Sequence, residues 1–430
     1  MFIHLDLDCF FVSAHRTIDS SLLHIPVAVG GRSNLNIFSS KKEIRKISSN
    51  EGAFVSSILT NEGQKTFKEY FVDENGKIRG IITTSSYEAR AYGVKTAMSV
   101  NEALTLCPEL KMLPPNYPLY HELSQKLKEL LIKEIPLVEQ FSIDEFFGDL
   151  SGYIEEDEVV EFAYNIKNKI QEELGLPISI GIANTKYLSK LITEYAKPDG
   201  VKYVNKDNIG NFIRNIPISE FPGIGKAFQE RLKGYGVKTL GDIKNKRELF
   251  YSWKKPGIDL YNRVCGIRDN KLTTFREKKS IGIGRTFDCI YDRNELRRRV
   301  AILSRYLCFL VKKSKVNPLT YALKIKYESN QKSKNYINVN TIFNELDFKN
   351  HMMELFSNND THPSHGVVQL SITVSNFARA NEFTYNLFEY EQDSKKSKLT
   401  NQMQKLRDKY GIDIIKTAFE IKDEKNDKKS

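Results

Sequence analysis

Phe141-Ser142-Ile143-Asp144-Glu145-Phe146-Phe147 sets two adjacent carboxylates between apolar neighbours. The flanks, Val138 to Phe141 and Phe146 to Leu150, read as strand, because β-branched and aromatic side chains suit a pleated, half-buried surface. An Asp-Glu pair inside such a ribbon is costly. A buried charge needs a partner, and neighbouring anions repel. A divalent cation answers both demands, since hard metals take oxygen ligands. The other reading is an exposed hairpin tip with two solvated acids, and the stretch alone does not choose between them.

The N-terminus adds a third acid. In Met1 to Val12, MFIHLDLDCFFV, residues Phe2, His4, Asp6 and Asp8 alternate with Ile3, Leu5, Leu7 and Cys9, a period-two strand pattern. A strand carrying Asp6 beside a hairpin carrying Asp144 and Glu145 places three carboxylates around a pair of metal ions. Two-metal phosphoryl transfer requires that arrangement.

Composition points the same way. Lys and Arg number 65 against 54 Asp and Glu in 430 residues, a net charge of +11. That excess suits a polyanionic partner. Cys9, Cys107, Cys265, Cys289 and Cys308 are scattered without C-x-x-C spacing, so neither a zinc site nor a disulfide frame is indicated. A reduced, intracellular compartment fits. No apolar run of about 18 residues occurs, so no spanning helix and no membrane partner are expected. The chain opens directly on a strand pattern, so no signal peptide is expected.

The D-x-D-x-F-F run from Asp6 to Phe11 and the S-I-D-E run from Ser142 to Glu145 together resemble the Y-family DNA polymerases. These lesion-bypass enzymes include bacterial polymerase IV. The resemblance runs from Met1 to about Phe388, with one long interruption. It implies an α+β multidomain fold: a right-hand polymerase with a ferredoxin-like palm, small fingers, a helix-hairpin-helix thumb and a C-terminal α/β little finger. The expected limits are palm 1–10 and 116–204, fingers 11–115, thumb 205–272, linker 273–279, little finger 280–388 and a C-terminal tail 389–430. The element pattern β…αββαβ is itself that of a ferredoxin-like palm.

By the same resemblance Asp6, Asp144 and Glu145 hold two Mg²⁺ ions with help from the carbonyl of Leu7. Asp8 and Ser142 stand behind these ligands and support them. Phe11 is the steric gate, a ring under the sugar that leaves no room for a 2′-hydroxyl; the other reading is core packing. The run Ile81 to Val94 contains the family's Y-E-A-R segment, whose Thr84, Tyr87 and Arg90 hold the β- and γ-phosphates. Tyr87 and Arg90 are three apart, hence on one helical face, and Arg suits forked phosphate contact. Asn184 to Gly200, NTKYLSKLITEYAKPDG, matches a further family layout in which Lys197 reaches the triphosphate and amides of Phe10 and Phe11 assist. Asn184 caps the helix of that stretch in this reading. The other reading of Lys197 is a helix-terminal cation facing the dipole.

The interruption, about 32–79, holds the basic run Lys41 to Lys46 and a hairpin at Asn75-Gly76 between Tyr70 to Val72 and Lys77 to Arg79. It reads as surface elaboration, or as a template contact. Ser99 with Glu102 marks a helix start, and Pro114-Pro115 a return to the palm. Leu123, Leu127, Leu130 and Leu131, then Val159, Phe162, Ile166 and Ile170, recur at helical spacing.

Pro222-Gly223-Ile224-Gly225, with Thr239 and Asp242 at capping-box spacing, resembles a helix-hairpin-helix whose Gly223 and Gly225 let amides approach DNA phosphates. In the C-terminal domain the pattern gives helices Asn294 to Leu310 and Asn344 to Phe356, and strands Thr320 to Tyr327 and Val367 to Val374. Lys279, Arg285 and Arg379 are the expected phosphate contacts. Leu387 and Phe388 end a stretch placed like a sliding-clamp peptide, though its initial Gln is absent. Leu399, Met403 and Leu406 are spaced for one face of a short helix over Lys398 to Lys416, and disorder is expected at the charged end.

The expected function is template-directed addition of deoxynucleoside triphosphates to a primer 3′ end in damage tolerance and repair. Primer-template DNA is the partner, with the sliding clamp a further one, and the location is the bacterial cytoplasm, at the nucleoid during repair. The alternative is a non-catalytic DNA-binding accessory relative, which should have lost acids. A two-metal nuclease leaves the cradle and Phe11 without purpose, and no water-activating His is expected near the acids. A purely structural helix-hairpin-helix binder leaves the N-terminal half unexplained.

Overall fold

The structure is a computed structural model describing residues 1–33, 35–38, 46–47, 58–59, 63–267, 271–274, 278–378 and 390–421. The described chain forms two compact units, one of residues 1–31, 63–267 and 271–274, the other of 32–33, 35–38, 46–47, 58–59, 278–378 and 390–421.

The first unit begins with β1 (Phe2–Leu7), α1 (Phe10–Arg16), β2 (Val27–Gly31), α2 (Phe67–Phe71), β3 (Ile81–Ser85), α3 (Tyr87–Ala91), α4 (Val100–Leu106) and β4 (Lys111–Leu113). It continues through α5 (Tyr117–Glu134), β5 (Leu137–Gln140), β6 (Glu145–Asp149), α6 (Val159–Leu174), β7 (Ile178–Ala183), α7 (Lys186–Glu194) and β8 (Val201–Tyr203). One sheet runs in the order β8-β7-β1-β6-β5, with β1 antiparallel to both neighbours. The path β1-α5-β5-β6-α6-β7 is the ferredoxin-like split βαβ.

β1 is buried along its whole length because both faces are covered. Ile3, Leu5 and Leu7 pack with Leu127 and Leu131 of α5 and with Ile166 and Ile170 of α6. On the other face His4 bonds Thr193 of α7 at 2.8 Å. Gly181 on β7 permits this approach, since a Cβ there would lie 2.3 Å from the Ser189 carbonyl oxygen.

A second sheet, β3-β2-β4, sits in the chain between β1 and α5. Here the expected hairpin is half right. Gly76 (φ 75°) turns the chain and Val72 bridges Ile78, but Tyr70 and Phe71 end the helix α2. A capping box of Thr66 and Glu69 starts that helix, and Tyr70 and Phe71 are buried. Residues 41–45 of the basic run lie outside the described residues.

Helices α8 (Ile209–Phe212), α9 (Lys226–Lys233), α10 (Leu240–Lys244), α11 (Arg247–Ser252) and α12 (Lys254–Val264) complete this unit. Ile216, Ile224, Leu232, Leu240, Ile243 and Phe250 form their core. The Thr239–Asp242 capping box is present. Asn184 does not cap α7; Thr185 holds that position, because the Asn184 amide donates to the Gly266 carbonyl at 2.9 Å.

The second unit contains β9 (Ser280–Ile290), α13 (Arg293–Lys313), β10 (Asn317–Tyr327), β11 (Lys332–Asn338), α14 (Glu345–Asn359), β12 (Val367–Ala378) and α15 (Tyr390–Tyr410). Its antiparallel sheet runs β9-β12-β10-β11. β11, KSKNYIN, escapes the sequence reading because an edge strand with this much polar content shows no apolar alternation. Two results concern segments read as peripheral. Ile37 and Phe38 of the insertion are buried in this unit's core, where Arg299 lies 4.5 Å from the Phe38 ring centroid.

Residues 390–421 also fold onto this unit, with the opposite helix face from the one expected. Leu399 and Leu406 are exposed, while Thr400 and Arg407 are buried. Arg407 pairs with Glu345, and Lys396 with Asp347 at 2.9 Å. The charged face of α15 therefore meets acidic partners on α14, of which Glu345 is buried. Residues 422–430, where disorder was expected, lie outside the described residues.

Candidate active site

The β1–β6 register puts Asp6 directly opposite Glu145. Asp144 lies in the turn just before β6, and its carbonyl accepts the Leu7 N–H at 3.1 Å. The pleat therefore gathers residues far apart in the chain at one end of the sheet. Ser142 Oγ donates to the Asp144 carboxylate and accepts from the Glu145 N–H at 3.1 Å, which fixes the turn.

Two lysines enter from α7 and the turn after it. Lys197 Nζ is 3.0 Å from Asp6 and 2.9 Å from Glu194, and Lys190 Nζ pairs with Glu145. Sequence reading missed Lys190, although its spacing of four from Lys186 puts both on one helical face. Lys186 makes a buried ion pair with Glu139 of β5 at 2.5 Å and so fixes the start of α7. Burial pushes the Asp6 carboxyl up to about 8; Lys197 opposes the shift, while Glu145 and Asp144 add to it. Burial also raises Asp144, against the Ser142 hydrogen bond. Burial alone would lower Lys197, but Asp6 and Glu194 hold it above the usual lysine range.

The donor set fits a divalent cation. Asp6 and Glu145 face each other here with Asp144 in the adjoining turn, and Asp6 stays far above the ordinary carboxylate range with an ammonium 3.0 Å away. Burial is what disfavours the charged form of Asp6, and a hard cation bound to these oxygens would offset that cost, since such donors suit Mg²⁺.

The structure corrects one expectation here. His4 is near the acids: a ring nitrogen and oxygens of Asp6 and Glu145 all lie within 4.8 Å of one another. The alternation already set His4 in register with Asp6, two residues on, but assigned it no role. Burial, then Lys190, Lys197 and Lys186, hold its pKa well below the usual histidine value.

Asp8 is buried. Its carboxylate accepts from Tyr87 Oη at 2.9 Å, Ser179 Oγ at 2.8 Å and the Asp199 N–H at 2.8 Å. These bonds tie Asp8 to α3, β7 and the turn after α7. Arg90 is exposed, its Nε donating to the Ser85 carbonyl at 3.1 Å and its guanidinium 4.7 Å from the Tyr87 ring centroid. Thr84 is half-buried on β3. Phe10 and Phe11 open α1, where N–H groups have no helical acceptor four residues back. The Phe11 ring is half-buried and stacked on Tyr120 at 4.2 Å.

Gly223 (φ 97°) and Gly225, the N-cap of α9, leave open space where a Cβ would stand. Lys279 and Arg285 are in the second unit; Arg285 Nη1 donates to its neighbour's carbonyl, that of Gly284, at 2.7 Å. Arg379, Leu387 and Phe388 lie outside the described residues. Among the described residues no helix is long and apolar enough to cross a membrane.

The impB/mucB/samB family matches residues 5–194, its helix-hairpin-helix motif 206–237 and its C-terminal domain 278–387. A DNA polymerase IV from Clostridioides difficile is 31% identical over 348 residues, covering 79% of this chain and 95% of that one. The chain belongs to the Y-family of DNA polymerases, as a polymerase IV-like member. A second relative, DNA polymerase IV from Yersinia enterocolitica, is 32% identical over 287 residues, 66% of this chain and 69% of its own. Among solved structures, a Y-family DNA polymerase chimera of Dbh and Dpo4 superposes with a TM-score of 0.67 at 20% identity, covering 87% of this chain and 98% of that one. DinB from Sulfolobus solfataricus gives 0.52 at 20%, over 87% and 98%. These two likenesses carry the fold: the Y-family right hand, with palm, fingers, thumb and little finger. Membership, rather than any lack of a nearby histidine, now speaks against the nuclease reading.

Proposed function

We propose that the centre around Asp6, Asp144 and Glu145 is where this chain joins nucleotides. The chain is a DNA-directed DNA polymerase of the translesion class, and enzymes of its family are metal-dependent. Its substrates are primer-template DNA and deoxynucleoside triphosphates. Asp6, Asp144 and Glu145, with the Leu7 carbonyl, are the residues that would hold two Mg²⁺ ions. Bound there, the ions supply the charge that lowers the primer hydroxyl's pKa and steadies departing pyrophosphate.

The other side chains orient the reactants. Arg90 offers a forked guanidinium to the phosphates beside Thr84 and Tyr87. Lys197 offers an ammonium once Asp6 turns to other partners, and the Phe10 and Phe11 amides stand at the opening of α1. The Phe11 ring, backed by Tyr120, closes the space a 2′-hydroxyl would need. Gly223 and Gly225 bring backbone amides to duplex phosphates, with Lys279, Arg285 and Arg379 as further phosphate contacts. Leu387 and Phe388 are the proposed clamp contact, and the cytoplasm the proposed location.

The observation that carries this reading is the Asp6–Glu145 pairing with Asp144 in the adjoining turn. The non-catalytic alternative requires missing acids, and all three are present. Primer extension on undamaged and abasic templates with Mg²⁺, wild type against Asp144→Ala, tests it. Extension by wild type alone supports the assignment; equal extension by both removes it.

A further inference from the structure

The Asp8 carboxylate takes three hydrogen bonds from three parts of the chain. Tyr87 belongs to α3, Ser179 to β7, and the Asp199 N–H to the turn that follows Lys197. Asp8 is 3% exposed, so these donors rather than water satisfy it. A carboxylate accepts strongly from N–H and O–H groups, and a buried one left without them is costly.

Two of its three partners lead to the proposed phosphate cradle. The Tyr87 hydroxyl has one proton, and Asp8 holds it. That fixes the ring against which Arg90 lies at 4.7 Å, while the Arg90 Nε is held by Ser85. With Nε and one ring face committed, the exposed Arg90 side chain has little choice of direction. On the other side, the bond to Asp199 N–H fixes backbone two residues from Lys197. The first cradle group sits on α3 and the second after α7, so their spacing depends on something that grips both.

We propose that Asp8 is a positioning residue that sets the spacing of the triphosphate cradle, acting through Tyr87 on Arg90 and through the Asp199 turn on Lys197. It touches neither nucleotide nor metal. This rests on the assignment of Arg90 and Lys197 to the triphosphate.

Single-nucleotide incorporation measured against dNTP concentration tests it, using Asp8→Ala, Tyr87→Phe, the double variant and Arg90→Ala. Asp8→Ala is expected to raise KM about tenfold for each of the four nucleotides, with kcat within about threefold. Adding Tyr87→Phe should raise KM little further, because both changes remove one shared link. Asp8→Asn, which keeps one acceptor oxygen, should recover part of the loss. Multiplying effects in the double variant, or a fall in kcat at constant KM, would overturn the proposal. If Asp8→Ala does not fold, Asp8→Asn and Tyr87→Phe decide together: an unchanged KM in both overturns it. If Arg90→Ala leaves KM unchanged, the cradle assignment itself fails; if Arg90→Ala raises KM while Asp8→Ala and Tyr87→Phe do not, only the role of Asp8 fails.

Discussion

Asp6 and Glu145 face each other across the β1–β6 ladder, and each is paired with a lysine, Lys197 and Lys190 respectively. Burial, with smaller contributions from Glu145 and Asp144, still keeps the Asp6 carboxyl at about 8 despite Lys197, against 3.8 ordinarily. Between about pH 4 and pH 8 folded Asp6 keeps a proton that the unfolded chain has released. The folded state binds more protons there, so stability falls as pH rises through that window. A divalent ion competes with the same proton. Added Mg²⁺ should therefore raise the melting temperature more at pH 8.5 than at pH 6, and Asp6→Asn should flatten the pH dependence. Equal Mg²⁺ effects at both pH values in thermal melts would rule this out.

Asp144 is the acid held by the turn rather than by the ladder, through Ser142 and the Leu7 N–H. Replacing it removes ligand oxygens without opening the sheet. Asp144→Ala should cut primer extension by at least about a hundredfold, comparable to losing a main charge-stabilising group. Duplex binding, measured by fluorescence anisotropy, should stay within a few-fold of wild type by the same reasoning. Loss of both together would indicate a folding defect instead.

Phe11 has its ring stacked on Tyr120, whose hydroxyl in turn meets His15 at 2.8 Å. That backing keeps the ring from yielding to a bulkier sugar. Phe11→Ala should narrow the preference for deoxynucleotides over ribonucleotides by on the order of a hundredfold. Competition between dNTP and rNTP in single-turnover incorporation reads this directly, and an unchanged ratio places the gate elsewhere.

Glu420, 3% exposed, joins the C-terminal segment to the domain beneath it. It lies 2.5 Å from both Arg305 and Lys349. Removing one member leaves the others charged and buried, at a cost of about 3–5 kcal/mol. Glu420→Ala should lower the melting temperature of the full chain by several degrees. A melt matching wild type would mean the segment is not anchored through these pairs.

Net charge of +11 makes DNA affinity a matter of counterion release. Each phosphate neutralised contributes a slope of about −0.9 in log affinity against log salt, so six or more contacts cost roughly a thousandfold between about 50 and 200 mM. A slope shallower than about −3 in a salt titration would contradict a basic groove along the duplex.

Much of this protein was written locally. The alternation in Met1 to Leu7, the Thr239–Asp242 capping box and the periodic helices α5, α6, α13 and α14 need only near neighbours to be read. The adjacent Asp144–Glu145 pair and the Tyr87–Arg90 spacing could be read the same way, whereas the grouping of Asp6 with that pair leaned on the resemblance to a family. Partnership was not legible. Nothing in the order of residues says that Asp8 would accept hydrogen bonds from Tyr87, Ser179 and Asp199, or that Lys190 would reach Glu145. Nor could spacing say that Phe38 of an insertion and the charged face of α15 are buried in the C-terminal unit. Local pattern records which side chains prefer to leave water. Which distant charge meets which, and therefore which polar groups can be buried at all, is settled only when the packed chain brings them within hydrogen-bonding distance.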